Sequence, residues 1–164
     1  METFNRKTLS DCEAKKLGEE LSEYVKDNVS ASSMSNMFDK KFKDFLLDGA
    51  SVNVDTLYIF NRLIENNKLE SLRNYILAGA DVNVKDMFNI TPLYFALLQR
   101  SAKQFNRSYK LLLESGAKTD VVNLMNSSKP TPLSLVKSIS NLDDYEKRIL
   151  SHYFNYSFND ECIK

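Results

Sequence analysis

Tryptophan is absent from this 164-residue chain, histidine occurs once, and the two cysteines, Cys12 and Cys162, stand near opposite ends. With no CxxC pair and no second histidine, the chain has the makings of neither a disulfide framework nor a zinc site. A reducing compartment is the expectation. Net charge is also lacking, since 22 Lys+Arg oppose 22 Asp+Glu. Nucleic-acid binders ordinarily carry a basic excess and disordered acidic tails the reverse, so neither class fits. No apolar run approaches the 18 residues of a membrane helix, and Met1-Glu2-Thr3-Phe4 lacks a basic segment leading into an apolar one. The expected chain is therefore cytoplasmic, with no membrane and no nucleic-acid partner.

Chemistry-bearing residues are scarce too. An enzyme needs an acid, a base, a nucleophile or ligands gathered in one pocket. His152, beside Tyr153 and Phe154, has no motif partner and reads as structural or exposed. Asp143-Asp144 lacks the spaced oxygen ligands of a calcium loop and better suits the start of a helix, where the dipole favours negative charge. Asp39-Lys40-Lys41-Phe42-Lys43-Asp44 reads as a solvated helix face rather than a phosphate patch. Glycine occurs only at 18, 49, 79 and 116. Three of these serve as helix stops, so no phosphate-cradling loop can be built. No catalytic residue, no metal site and no cofactor are expected.

What the chain does contain is repetition. Apolar residues make up 43% and charged residues 27%, a globular composition. Within it, Phe45-Leu46-Leu47-Asp48-Gly49-Ala50, Tyr75-Ile76-Leu77-Ala78-Gly79-Ala80 and Leu111-Leu112-Leu113-Glu114-Ser115-Gly116-Ala117 each read as a helical end closed by Gly-Ala. A glycine just past a helix adopts the left-handed conformation that closes the last turn. The Gly-Ala pairs recur after 30 and then 37 residues. A second landmark, Thr91-Pro92-Leu93-Tyr94-Phe95-Ala96, returns as Thr131-Pro132-Leu133-Ser134-Leu135-Val136. Threonine caps and proline at the first helical position is pre-organised, so each marks a helix start.

On these residues the chain resembles the ankyrin-repeat family, whose units of about 33 residues pair two helices behind a β-turn and carry T-P-L-H-x-A. Where the family has His, this chain has Tyr94 and Ser134. The resemblance implies an all-α, ankyrin-repeat-like solenoid of helix-turn-helix units joined by short β-hairpin loops, with an extra N-terminal helix. The units are 34–54 (partial), 55–85, 86–122 and 123–158, preceded by a capping helix and linker at 1–33 and followed by a tail at 159–164.

In unit one, Phe38, Phe42, Phe45 and Leu46 predict a buried helix face. Unit two has Tyr58-Ile59-Phe60 in the Thr-Pro-Leu slot and Asn67 in place of the glycine, a substitution that the left-handed region tolerates. Arg100 to Arg107 is the expected site of a roughly four-residue insertion against the family period. Asn123 to Pro130 is a lengthened hairpin. Ser10-Asp11-Cys12-Glu13 matches a capping box ahead of a helix whose stripe is Ala14, Leu17, Leu21, Tyr24 and Val25. That helix either caps unit one or mediates dimerisation or partner binding, the chain otherwise being a monomer.

The resemblance further implies a non-catalytic protein-protein interaction module, reading a protein partner through hairpin tips and first helices. Carried onto unit three, these positions are Lys85, Met87, Phe88, Ile90, Leu98 and Gln99. Their apolar character suits recognition, the alternative being packing against Leu124 and Met125. Leu93, Ala96, Leu97, Leu112 and Leu113 are expected in the core. A dedicated inhibitor or immunity partner occluding an enzyme, or a host-directed effector or host-range protein of a bacterium or virus, remains the alternative function.

Overall fold

A computed structural model of the chain describes residues 4–30, 35–101, 107–120 and 131–158. Among these the protein is all-helical: α1 (Asp11–Asn28), α2 (Ser35–Leu47), α3 (Thr56–Glu65), α4 (Leu69–Leu77), α5 (Pro92–Ser101), α6 (Ser108–Glu114), α7 (Pro132–Ser138) and α8 (Asp144–Phe154). The connections expected as short β-hairpins contain no strand among the described residues. Their donors are used locally instead. Ser51 Oγ accepts from Asn53 N and Asp81 Oδ1 from Asn83 N, so side chains two residues back bind the amides that a ladder would need.

Helix starts follow the residue chemistry. Ser10 accepts from Glu13 N while the Glu13 carboxylate takes the Ser10 amide, a complete capping box for α1. Thr91 and Thr131 hydroxyls accept from Tyr94 N and Ser134 N, capping α5 and α7 ahead of Pro92 and Pro132. Helix α3 starts differently. With no proline to set the first turn, it begins at Thr56, ahead of the Tyr58 slot, and its cap position Asp55 sits at φ 48° without a side-chain cap. The Asp55 carboxylate instead accepts the buried Ser22 hydroxyl of α1 at 2.8 Å.

Four helix ends share one geometry. Gly49, Asn67, Gly79 and Gly116 all have positive φ, at 100°, 52°, 98° and 88°. At each, the following residue donates its amide five residues back: Ala50 to Phe45 O, Lys68 to Leu63 O, Ala80 to Tyr75 O and Ala117 to Leu112 O. The left-handed residue itself bonds three residues back, the Schellman pattern that satisfies the last carbonyls of a helix.

Closed in this way, the helices form two rows. Helix α3 packs on α5 and α5 on α7, whereas α2 packs on α4 and α4 on α6; α3 against α4 and α5 against α6 join the rows. Helix α1 covers one end against α2 and α3, burying Leu21 and Val25 completely and leaving Ala14, Leu17 and Tyr24 half-exposed. Phe38, Phe42 and Leu46 of α2 are buried as the spacing predicts, with Phe45 only half so. A run of aromatic contacts crosses the rows, from Phe42 to Tyr75 at 5.9 Å and from Tyr75 to Phe60 at 5.2 Å between centroids. Burying each such ring contributes roughly 1.5–3 kcal/mol. The Tyr75 hydroxyl donates to Val52 O at 2.9 Å, and burial pushes its ionisation well above the ordinary range.

An unforeseen strap completes the end of the stack. Residues 4–10 run across the helix C-termini, where the Arg6 guanidinium donates to Leu46 O and Ala78 O at 3.1 and 2.7 Å and also to Ala50 O. One cation thus ties the negative ends of α2 and α4 together. Lys7 N donates to Leu47 O at 2.8 Å, and a Cβ on Gly49 would lie 2.8 Å from Lys7 O. A Cβ on Gly79 meets nothing within 4 Å. Alanine at either position pays the left-handed penalty of about 1–2 kcal/mol. Gly49→Ala is therefore expected to lower the urea midpoint clearly more than Gly79→Ala; equal losses would show that the strap is not seated on Gly49.

Candidate functional site

The connection between α4 and α5 carries the residues singled out for partner binding. After Gly79-Ala80 closes α4, Asn83 bridges to the next connection: its Nδ2 donates to Gly116 O at 3.2 Å and its Oδ1 accepts from Lys118 N at 2.8 Å. Neighbouring loops are therefore linked side by side through Asn83. Next, Asp86 Oδ1 accepts from both Phe88 N and Ile90 N at 2.9 Å, and Asn89, at φ 60°, donates its amide to Asp86 O. A single carboxylate collects the loop's amides, and asparagine is the residue that enters the left-handed region most readily after glycine.

That turn throws Met87 outward, 82% exposed, with Phe88 37% exposed beside it. Lys85 is exposed as well, whereas Ile90 turns inward and packs on the core. On α5, Leu98 is 41% exposed and Gln99 half-buried. Four of the six expected contact residues thus face solvent, and Ile90 and Gln99 belong partly to the scaffold. Leu93, Ala96, Leu97, Leu112 and Leu113 are core, as their spacing predicts. Leu124 and Met125, the packing partners considered for Met87 and Phe88, lie outside the described residues, as does the whole lengthened hairpin.

Arg100 requires a correction. It was expected to open an inserted loop, yet it belongs to the last turn of α5 and is buried. The cause is Glu146 of α8, which takes the Arg100 Nε at 3.1 Å, the Nη2 at 3.0 Å and the Tyr109 hydroxyl at 2.8 Å. Arg100 Nη2 also reaches Asn141 O at 3.3 Å. Bidentate pairing is what makes burial of a guanidinium tolerable, and it extends α5 into the expected insertion. Residues 102–106 of that insertion lie outside the described set.

Glu146 also closes a capping box with Asp143, so the acidic pair at 143–144 starts α8. Burial alone would raise the Glu146 carboxyl; the hydrogen bonds from Arg100, Tyr109 and Asp143 N outweigh it and hold the group below its ordinary value. Burial and the bond to Glu146 push Tyr109 up. With Arg100 and Glu146 each under a tenth exposed, the cluster is a structural joint between α5, α6 and α8.

A second surface escaped the sequence reading. Between α1 and α2 runs a groove of about 760 Å³ lined by Leu17, Tyr24, Met37, Phe38 and Phe45, with Lys40, Lys41, Asp44 and Asp48 along its α2 side. Its only sequence signal is the half-used apolar stripe of α1. His152 is exposed on α8 against the edge of Tyr153, and Cys12 is exposed on α1. Among the described residues no three His, Cys, Asp or Glu side chains are placed to hold a metal ion, and no helix is long and apolar enough to cross a membrane.

In comparisons with known proteins, no family model matches the chain, and no match emerged among curated proteins or solved structures.

Two outcomes test the ionic joint. Glu146→Ala strands a buried guanidinium and should cost about 3–5 kcal/mol in chemical denaturation, whereas Arg148→Ala on the exposed face of α8 should change stability by less than about 0.5 kcal/mol. Because the folded Glu146 carboxyl titrates below its unfolded value of about 4.3, its contribution is complete above that pH and is lost as pH falls through the lower folded value. Glu146→Gln should flatten that acid limb; an unchanged limb would assign it to other carboxylates.

Proposed function

We propose that the chain is a non-catalytic binding module of the ankyrin-repeat type, recognising a protein partner through the turn at Met87 and Phe88. The paired helices, the two rows and the Schellman closures support the family likeness. The observation that carries the functional reading is Met87, 82% exposed at the tip of a loop held rigid by Asp86. A methionine so placed contributes nothing to folding that a polar residue would not supply. Methionine and aromatic side chains are enriched in recognition surfaces, where they fill pockets on a partner. Rigidity adds affinity, because a loop already fixed by Asp86 and Asn89 loses little conformational freedom on docking.

Lys85 beside this pair offers a rim charge that would tune encounter rate more than affinity. Leu98, exposed near the end of α5, extends the apolar surface along the same unit. The absence of a global field suits such a module, since balanced charge leaves specificity to local shape and anchors.

Affinity capture with mass spectrometry, using the wild type and a Met87→Asp/Phe88→Asp double variant, tests the reading. A partner retained at fixed ratio by the wild type should be lost at least a hundredfold by the variant, about 2.7 kcal/mol, with helical circular dichroism unchanged. Equal retention by both proteins would overturn this site. Phe88→Asp alone should cost less than the pair, because Phe88 is the less exposed of the two.

A further inference from the structure

The strap ahead of α1 meets the stack as a peptide ligand meets a site. Residues 4–9 have no helix or strand of their own, and among the described residues only one of their main-chain amides is bonded, Lys7 N to Leu47 O at 2.8 Å. Side chains do the rest. Arg6 donates to Leu46 O, Ala50 O and Ala78 O, and Lys7 Nζ pairs with Asp48. Phe4 is half-buried against the core, and Leu9 lies over Gly49, with Cγ 3.0 Å from where a Cβ would stand. Asn5 and Thr8, between these contacts, face solvent.

The three carbonyls under Arg6 come from two helix ends: Leu46 in the last turn of α2, Ala50 just past its closure, and Ala78 at the cap of α4. Among the described residues Ala50 O and Ala78 O accept from no other donor. They sit where the helix dipoles are negative. A guanidinium spreads its N–H donors in one plane and reaches all three oxygens, whereas an ammonium has no such fork. The cradle therefore reads arginine, not merely positive charge. Helix α1 is seated by other contacts, with Ser51 N donating to Ala14 O at 2.8 Å and Gly18 against Ser51 O. Lifting the strap breaks none of these.

We propose that residues 4–9 are a displaceable internal ligand, and that the cradle they cover binds an extended segment of a protein partner built on the same pattern. That segment carries an arginine, a basic residue directly after it, and apolar residues two before and three after the arginine. The arginine takes the carbonyls of Leu46, Ala50 and Ala78, the basic residue meets Asp48, and the later apolar residue settles over Gly49, where only glycine leaves room. The next step of the stack does not repeat the site, since Ala78 precedes Gly79 where Asp48 precedes Gly49. The strap is autoinhibitory: it is tethered at high effective concentration, and the partner's apparent affinity falls with the fraction of chains whose strap is open. This surface is separate from the Met87 turn, and its occupant does not depend on what the turn binds.

The test titrates the full chain, wild type and Arg6→Ala, with a fluorescent peptide of residues 4–9 blocked at both ends. Arg6→Ala, whose own fork is gone, should bind the peptide at least tenfold tighter than the wild type, the ratio expected when the wild-type strap is open in under about a tenth of molecules. On Arg6→Ala protein, the peptide with Arg6→Lys should bind at least tenfold more weakly, Asp48→Lys should weaken the parent peptide, and Met87→Asp/Phe88→Asp should change nothing. No binding by a helical Arg6→Ala protein, equal binding by wild type and Arg6→Ala, or equal binding of the arginine and lysine peptides overturns the proposal. Hydrogen exchange of the unaltered chain needs no variant: the Lys7 amide should exchange at least tenfold faster than the Ser51 amide, because the strap opens while α1 stays seated. Equal rates at both amides would make the strap a fixed part of the fold and overturn the proposal whether or not Arg6→Ala folds. A concentration-dependent wild-type dimer lost in Arg6→Ala would assign the cradle to the strap of a second copy instead.

Discussion

Reversing a helix without leaving its last carbonyls unpaired is the constraint on which this architecture rests. Each helix ends with four acceptors that no further turn will satisfy, and a buried end without partners is costly. The chain meets that demand the same way at Gly49, Asn67, Gly79 and Gly116, with a left-handed residue and an amide that reaches five residues back. The alanine or lysine that follows is buried in every case, Ala50, Lys68, Ala80 and Ala117, so the closure also sets the first inward contact of the next segment. Rows of helices follow from repeating one turn. At α2 and α4 the closure is reinforced from outside, where Arg6 gathers carbonyls of both helices and removes their mutual repulsion.

Gly18 shows a different use of the same residue. Its Cβ position would lie 2.7 Å from Ser51 O, and Ser51 N donates to Ala14 O at 2.8 Å. Helix α1 approaches the α2–α3 connection so closely that no side chain fits between them. The N-terminal helix is therefore fitted to the stack, which supports its reading as a cap. The stripe of α1 is nonetheless wider than the stack requires, and Tyr24 and Leu17 are left bordering the groove.

Legibility followed sequence distance. Helix stops, helix starts and the stripes of α1 and α2 are set by residues within a few positions of each other, so Gly49, Asn67, Thr91-Pro92 and Ser10-Glu13 could all be read directly. The exposure of Met87 and Phe88 was legible for the same reason, both being apolar residues inside a polar turn. The Arg100–Glu146 joint spans 46 residues and the Arg6 bonds up to 72. Neither has a spacing that composition or periodicity would flag, and Arg100 looked like the edge of a polar insertion. The groove was hidden for another reason: it arises from the angle between α1 and α2, and each helix alone shows only an ordinary amphipathic face.

These long-range polar ties and the exposed apolar side chains are two sides of one arrangement. A short stack has few core layers, so rigid presentation of a surface residue depends on how firmly each loop is held to its neighbours. Asn83 does this for the loop that carries Met87, taking Gly116 and Lys118 of the next connection, and Asp86 does it within the loop. Glu146 fixes the far end by joining α5, α6 and α8. A side chain as exposed as Met87 would ordinarily sample many positions. Held on a turn whose amides are already paired, it can move about its own χ angles while its backbone stays fixed. The polar network, though it touches no partner, therefore decides whether an exposed methionine acts as an anchor or only as exposed surface.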